Sequence, residues 1–145
     1  MKITIEQPQT GEEEQIIVKC HHISPEITRL LNAFKSQGNI LIGYDGSEIC
    51  RVSSADIFYI ESVDNKVFLY CERGVYESKQ KLYELEDMLS VGDFLRISKS
   101  VIANLSKIKS LVPAFSGRLE AVLINGEKII ISRQYVNELK KCLGI

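Results

Sequence analysis

FLRISKSVIANLSKIKSL, residues Phe94–Leu111, carries Arg96, Lys99, Lys107 and Lys109 and contains no Asp or Glu. Its apolar positions Phe94, Leu95, Ile97, Val101, Ile102 and Leu105 predict a strand–loop–strand. Ser98-Lys99-Ser100 is then the polar tip between the strands, with Arg96, Lys107 and Lys109 flanking it. Such a one-sided segment stands out in a chain whose formal net charge is only −1. The imbalance extends beyond it, because residues 94–145 hold 9 basic and 3 acidic side chains, and the remaining 9 basic and 16 acidic ones precede them. Charge asymmetry between halves is what an anionic partner leaves in a sequence, although two halves of one compact domain that neutralise each other produce it too.

The rest of the composition narrows the class. With 145 residues, 45% hydrophobic and 26% charged, the chain is of ordinary globular type and long enough for one domain with a real core. No apolar run approaches the roughly 18–20 residues that span a bilayer. The start, MKITIEQPQTGEEEQ, has no apolar signal core, so a cytoplasmic protein is expected. Cys20, Cys50, Cys71 and Cys142 never form a C-x-x-C pair. The first three sit in or beside apolar runs and read as buried, reduced thiols.

Along the chain, Met1–Glu6 and Gln15–Cys20 look like two strands of a hairpin around the acidic turn PQTGEEE. A helix follows, with Ser24 as its cap, Pro25 at its first position, and Ile27, Leu30, Leu31 and Phe34 on one face. Gly38 is its expected stop. Short strands then predominate: Ile40–Tyr44 and Glu48–Val52 around Asp45-Gly46-Ser47, and Ile57–Glu61 and Val67–Cys71 around a polar tip at Ser62–Lys66. Leu82, Leu85 and Leu89 predict a helix over roughly Lys79–Leu89. Phe94–Ile97 and Val101–Ala103 are short apolar pieces. Ala121–Ile124 and Lys128–Ile131 flank Asn125-Gly126, and Ser132 caps a last helix bearing Val136, Leu139 and Leu143. The change of style near Gly38–Ile40 is the one candidate boundary, and the N-terminal piece is expected to pack on the rest.

Nothing assembles into a catalytic constellation. Cys20, His21 and His22 are adjacent, so on a strand they point to alternate faces and do not converge on one ion. Glu12-Glu13-Glu14 reads as a solvated turn. No phosphate-cradling glycine motif and no serine-nucleophile elbow occurs. Neither an enzymatic activity, a cofactor nor a metal is expected. The cations of the second half instead gather at element boundaries: Arg96 and Lys99, Lys107 and Lys109, Arg118, and Arg133, with Lys66 at an earlier tip. Loop-borne cations suit a polyanion backbone, and Asn65, Ser98, Ser100 and Gln134 beside them can bond phosphates or base edges.

Four blocks carry a family resemblance: DIFYIES at Asp56–Ser62, KLYELEDML at Lys81–Leu89, the opening stretch, and LINGEKIIISRQYVNELK at Leu123–Lys140. Their order, spacing and the strings R-I-x-[KR]-S-x-x-x-N and I-S-R-x-Y resemble the LytTR DNA-binding domain over residues 43–145. The resemblance implies a mainly β fold of short strands in three small sheets with short helices, here preceded by a β-β-α extension over residues 1–42. It also implies a bacterial transcription regulator whose loops enter successive major grooves of a bent duplex.

On this chain the reading loops would be the tip Ser62–Lys66, including Asn65 and Lys66, then Ser98-Lys99-Ser100, then Arg133 and Gln134. Arg96, Lys107, Lys109 and Arg118 would serve as neighbouring contacts. Asn104 matches the family's Asn and is expected to hold the loop rather than touch DNA. Ser98 stands where the family usually has His, and Gln134 where it often has a second Arg, which leaves base preference open.

About 40 residues precede the domain, too few for a receiver, so the chain resembles small stand-alone LytTR regulators often encoded beside a small membrane protein. The expected partners are double-stranded DNA with promoter repeats, a second copy in a homodimer through the helix, and such a membrane protein. The competing function is a protein-interaction module for that membrane partner, with vestigial DNA loops. An RNA-binding role lacks the paired stacking aromatics it needs.

Overall fold

Ser24 starts the first helix as its sequence position suggests. The Ile27 amide donates to its Oγ at 3.3 Å and the Thr28 amide to its carbonyl at 3.0 Å. The helix α1 runs Pro25–Ser36. The structure, a computed structural model, describes residues 2–36, 39–90 and 92–145, so the expected stop at Gly38 lies outside the described residues.

The hairpin expected ahead of α1 is not a ladder. A turn closes between the Glu12 amide and the Gln9 carbonyl at 3.0 Å, and the flanking arms form no strand pairing among the described residues. Ile3, Ile5, Ile16 and Ile17 are all exposed. A two-stranded ribbon with no covered face is marginal in water. Among the residues of this piece whose burial is described none is buried, so none of them joins the core.

From Ile40 the described residues build ten strands. β1 (Ile40–Asp45) and β2 (Glu48–Ser53) form one hairpin, and β3 (Ile57–Val63), β4 (Lys66–Cys71) and β5 (Gly74–Ser78) form a meander. β6 (Phe94–Arg96) and β7 (Val101–Asn104) complete a seven-stranded sheet in the order β2-β1-β5-β4-β3-β7-β6. A second sheet holds β8 (Ile108–Pro113), β9 (Leu119–Leu123) and β10 (Lys128–Ile131) in the order β10-β9-β8. The mainly β class is as expected, but the three small sheets are two. β1 joins β5 through the single register pair Tyr44↔Glu77, which merges the first hairpin with the meander. Gly43 permits that approach, since a Cβ there would lie 2.6 Å from the Tyr76 Cβ.

Two cores share β7, because neighbouring residues of a strand face opposite sides. Ile102 joins Leu41, Ile57, Ile60 and Leu69 under α2 (Leu82–Leu89), whose Leu82, Leu85 and Leu89 are buried against them. Ala103 faces the other way, into a core with Ile97, Ala121, Ile131 and Leu139 of α3 (Val136–Leu143). Tyr59 stacks on Tyr70 with ring centroids 4.4 Å apart, and burial, with Glu127 beside it, raises its hydroxyl. Among the cysteines only Cys50 and Cys71 pack against a core. Cys20 is exposed, contrary to expectation, because the arm that carries it covers nothing. Burial, with Asp56 nearby, pushes the Cys71 thiol up to about 12. No helix among the described residues is long and apolar enough to cross a membrane, and no described group of side chains could hold a metal ion.

Asn104 ends β7 and is 2% exposed. Its Nδ2 donates to the Ile57 carbonyl at 2.8 Å, and its Oδ1 accepts from the Ser106 amide at 3.1 Å and hydroxyl at 2.7 Å. These bonds lock the exit of β7 to the entry of β3. Asn104→Ala therefore leaves a buried carbonyl without a partner and is expected to cost about 1–3 kcal/mol in urea unfolding. Asn104→Asp does not rescue it, since an ionised carboxylate cannot donate to Ile57. Wild-type stability in either variant contradicts this role.

Candidate nucleic-acid interface

The first tip is a two-residue turn. Val63 pairs with Lys66, and Asp64 and Asn65 between them take φ 51° and 63°. Both are left-handed, the conformation of hairpin turns whose twist matches the strands, and Asp and Asn tolerate it better than other non-glycine residues. Asn65 and Lys66 are exposed there, together with the Asp64 carboxylate.

The second tip, Ser98-Lys99-Ser100, is closed by its own backbone. The Ile97 amide donates to the Val101 carbonyl at 3.0 Å, and the Ser100 amide to Ser98 Oγ at 3.2 Å. Arg96 reaches over it. Its Nε donates to the Ser98 carbonyl at 2.8 Å, its Nη2 to the Lys99 carbonyl, and its Nη1 pairs with Glu86 Oε2 at 2.6 Å. The guanidinium expected to flank the tip as a phosphate contact is thus spent on shaping the tip and tying it to α2. Lys99 remains exposed.

The third tip opens with Ser132, where β10 gives way to a 3-10 turn at Arg133–Tyr135 ahead of α3. Arg133 and Gln134 are exposed. Ser116, Arg118, Ser132, Arg133 and Gln134 line one open cleft, so the β8–β9 loop belongs to this end of the molecule. That loop went unnoticed in the sequence except for Arg118. A run as short as AFSG carries no periodic signal, and only Gly117 hinted at a turn.

Two backbone bonds align the tips. The Ser62 amide donates to the Ser100 carbonyl at 2.8 Å, joining the first to the second. The Ser132 amide donates to the Ile97 carbonyl at 2.9 Å, joining the second to the third. Segments far apart in sequence thus form a continuous row bearing Lys66, Lys99 and Arg133, with Arg118 at its end. Lys107 and Lys109 are not part of it. They follow the far end of β7 (Val101–Asn104), about 10 Å from its start at a strand's rise per residue. Lys107 lies there with its Nζ 5.3 Å from the Phe58 ring centroid, and its carbonyl accepts from the Ile124 amide at 2.9 Å.

A profile of the LytTr DNA-binding domain family matches residues 47–144. The sensory transduction protein LytT of Enterococcus faecalis is 29% identical over 138 residues, covering 92% of this chain and 57% of that protein. The LytT of Bacillus anthracis is 36% identical over 97 residues, covering 67% of this chain and 39% of its own length. The chain therefore spans less than two thirds of these relatives. An uncharacterized HTH-type transcriptional regulator of Staphylococcus aureus is 26% identical over 147 residues, covering 100% of this chain and 99% of that one. A solved LytTr DNA-binding domain from Bacillus cereus superposes with a TM-score of 0.70 at 25% identity, covering 73% of this chain and 97% of that one.

The three-way grip of Arg96 depends on a planar fork that an ammonium group lacks. Arg96→Lys is expected to speed hydrogen exchange at the Ser98 and Ser100 amides several-fold. Global stability should move little, because a half-exposed ion pair is worth about 0–1 kcal/mol. NMR exchange rates equal to wild type would show that the loop holds its shape without the clamp.

Proposed function

Because the chain belongs to the LytTr DNA-binding domain family, we propose that it is a sequence-specific regulator of transcription that reads double-stranded DNA with the row of three loops. The alignment of those loops through the Ser62–Ser100 and Ser132–Ile97 backbone bonds is the observation that carries this reading. A row of exposed cations on linked backbone can neutralise phosphates and release their counterions, and the small polar side chains between them can bond phosphates or base edges.

Lys99 and Arg133 read bases, Arg133 having the fork that suits guanine O6 and N7. Asn65 and Gln134 donate and accept at adjacent edges, Ser98 and Ser100 bond phosphates or bases, and Lys66 and Arg118 contact phosphate. Arg96 acts through the loop it holds. Lys107 and Lys109, off the row, contribute long-range attraction or meet a duplex that bends around the domain. Strands separate the three α-helices of the described residues, so reading through a helix-turn-helix has no support here. The protein works without chemistry of its own, in the cytoplasm where its DNA is.

The partner proposed for the N-terminal piece is a second copy. Leu30 and Phe34 of α1 are exposed along with Ile3, Ile5 and Ile16, an apolar surface that one copy leaves uncovered. A small membrane protein is the competing partner for the same surface. Light scattering of the full chain is expected to give a dimer mass that falls on dilution, and a monomer at every concentration, free and on DNA, contradicts the homodimer.

Fluorescence anisotropy with a duplex enriched from a random pool by the wild-type protein tests the DNA reading. Lys99→Ala and Arg133→Ala are each expected to cost about 1–3 kcal/mol of specific binding and to relax preference at one position. A residue that touches only phosphate instead weakens all sequences alike and lowers the salt slope by about one. Absence of salt-dependent binding by the wild type contradicts the function itself.

A further inference from the structure

Phe115 is 89% exposed, more than any other large hydrophobic among the described residues between Ile40 and Leu143. Single exposed apolar side chains are common on protein surfaces, and most need no explanation. This one differs in how its position is fixed. The loop between β8 and β9 closes on itself through the Ala114 amide, which donates to the Arg118 carbonyl at 2.9 Å. Ser116 and Gly117 follow Phe115 with φ 62° and 75°, two consecutive left-handed residues that turn the chain sharply. Gly117 also lies flat against the aliphatic part of Arg133, where a Cβ would come within 2.9 Å of Cδ. The loop is seated on the aliphatic part of an arginine in the reading row, and two residues before that contact it holds an aromatic ring out into solvent.

Exposing a Phe ring costs hydrophobic free energy that a polar residue at the same place would not. The next residue, Ser116, lines one open cleft with Arg118, Arg133 and Gln134, so the ring projects from a loop whose neighbouring surface is otherwise built for an anion. An apolar group on such a surface has one natural counterpart in a major groove, the C5-methyl of thymine, which is the only apolar feature the groove presents.

We infer that Phe115 is a further specificity-determining residue, whose ring packs on a thymine methyl next to the base read by Arg133. The inference rests on the DNA-binding reading and adds to it a preference for thymine at one position that no polar side chain of the row supplies. A ring in van der Waals contact neutralises no phosphate, so its removal changes affinity without changing the salt slope.

The test uses the full chain and the duplex enriched by the wild type, with each thymine near the Arg133 position replaced singly by uracil, which lacks only the methyl. Wild-type binding is expected to weaken about five-fold or more at one replacement. Phe115→Ala is expected to weaken binding to the thymine duplex by a similar factor, with an unchanged salt slope and melting temperature, and to be indifferent to that uracil. Phe115→Leu, still apolar, recovers part of the loss. Equal affinity of Phe115→Ala and wild type overturns the inference while leaving the DNA reading intact. So does wild-type indifference to every uracil, a measurement that requires no variant to fold. If the wild type binds no DNA in a salt-dependent way, the underlying reading fails and this inference fails with it.

Discussion

The proposed reading row depends on two backbone hydrogen bonds, Ser62 to Ser100 and Ser132 to Ile97. Loops from three separate parts of the chain would otherwise be independent, each free to move relative to the others. The bonds connect them through main-chain atoms, so the spacing of Lys66, Lys99 and Arg133 is set by the scaffold and not by flexible side chains. Ile97 is the anchor beneath. Its side chain is fully buried with Ala103, Ala121, Ile131 and Leu139, while its amide and carbonyl serve the second and third tips. A buried residue that also ties two loops together makes packing and recognition one problem.

The division into two cores follows from the alternation of β7. Ile102 is claimed by the side under α2, and Ala103 by the side under α3 and the second sheet. The start of this strand is the second tip, and its end is the buried Asn104, whose bonds reach Ile57 and Ser106. The strand is short, four residues, so little play exists between the lock at one end and the tip at the other. Arg96 repeats the principle from the neighbouring strand, holding two loop carbonyls while Glu86 holds it. Rigid support beneath a small number of exposed side chains lowers the ordering cost of binding.

Much of this was legible in the sequence because it is written in local signals. Leu82, Leu85 and Leu89 at helical spacing give α2 and its buried face, and the polar triplet Ser98-Lys99-Ser100 between apolar pairs gives the second tip. The left-handed pair Asp64–Asn65 fits a turn already expected at Ser62–Lys66. What escaped is non-local or irregular. β8 did not read as a strand because a bulge between Ile108 and Ser110 breaks the alternation that would have shown it. β5 is only five residues between two polar clusters. The role of Arg96 required knowing that Glu86 faces it across α2 and β6, and the isolation of Lys107 and Lys109 required the length of β7. The N-terminal arms have the alternation of strands but no surface to cover, so pattern without a partner misled.

A duplex read by a fixed row of loops must be contacted on one face, at positions repeated along the groove. Hydroxyl-radical footprinting of the full chain on its enriched duplex measures this directly. Protection confined to one face and recurring at about one helical turn, about 10 bp, is the predicted result. Protection that wraps the duplex evenly, or none at a concentration where the protein is bound, would contradict the reading row.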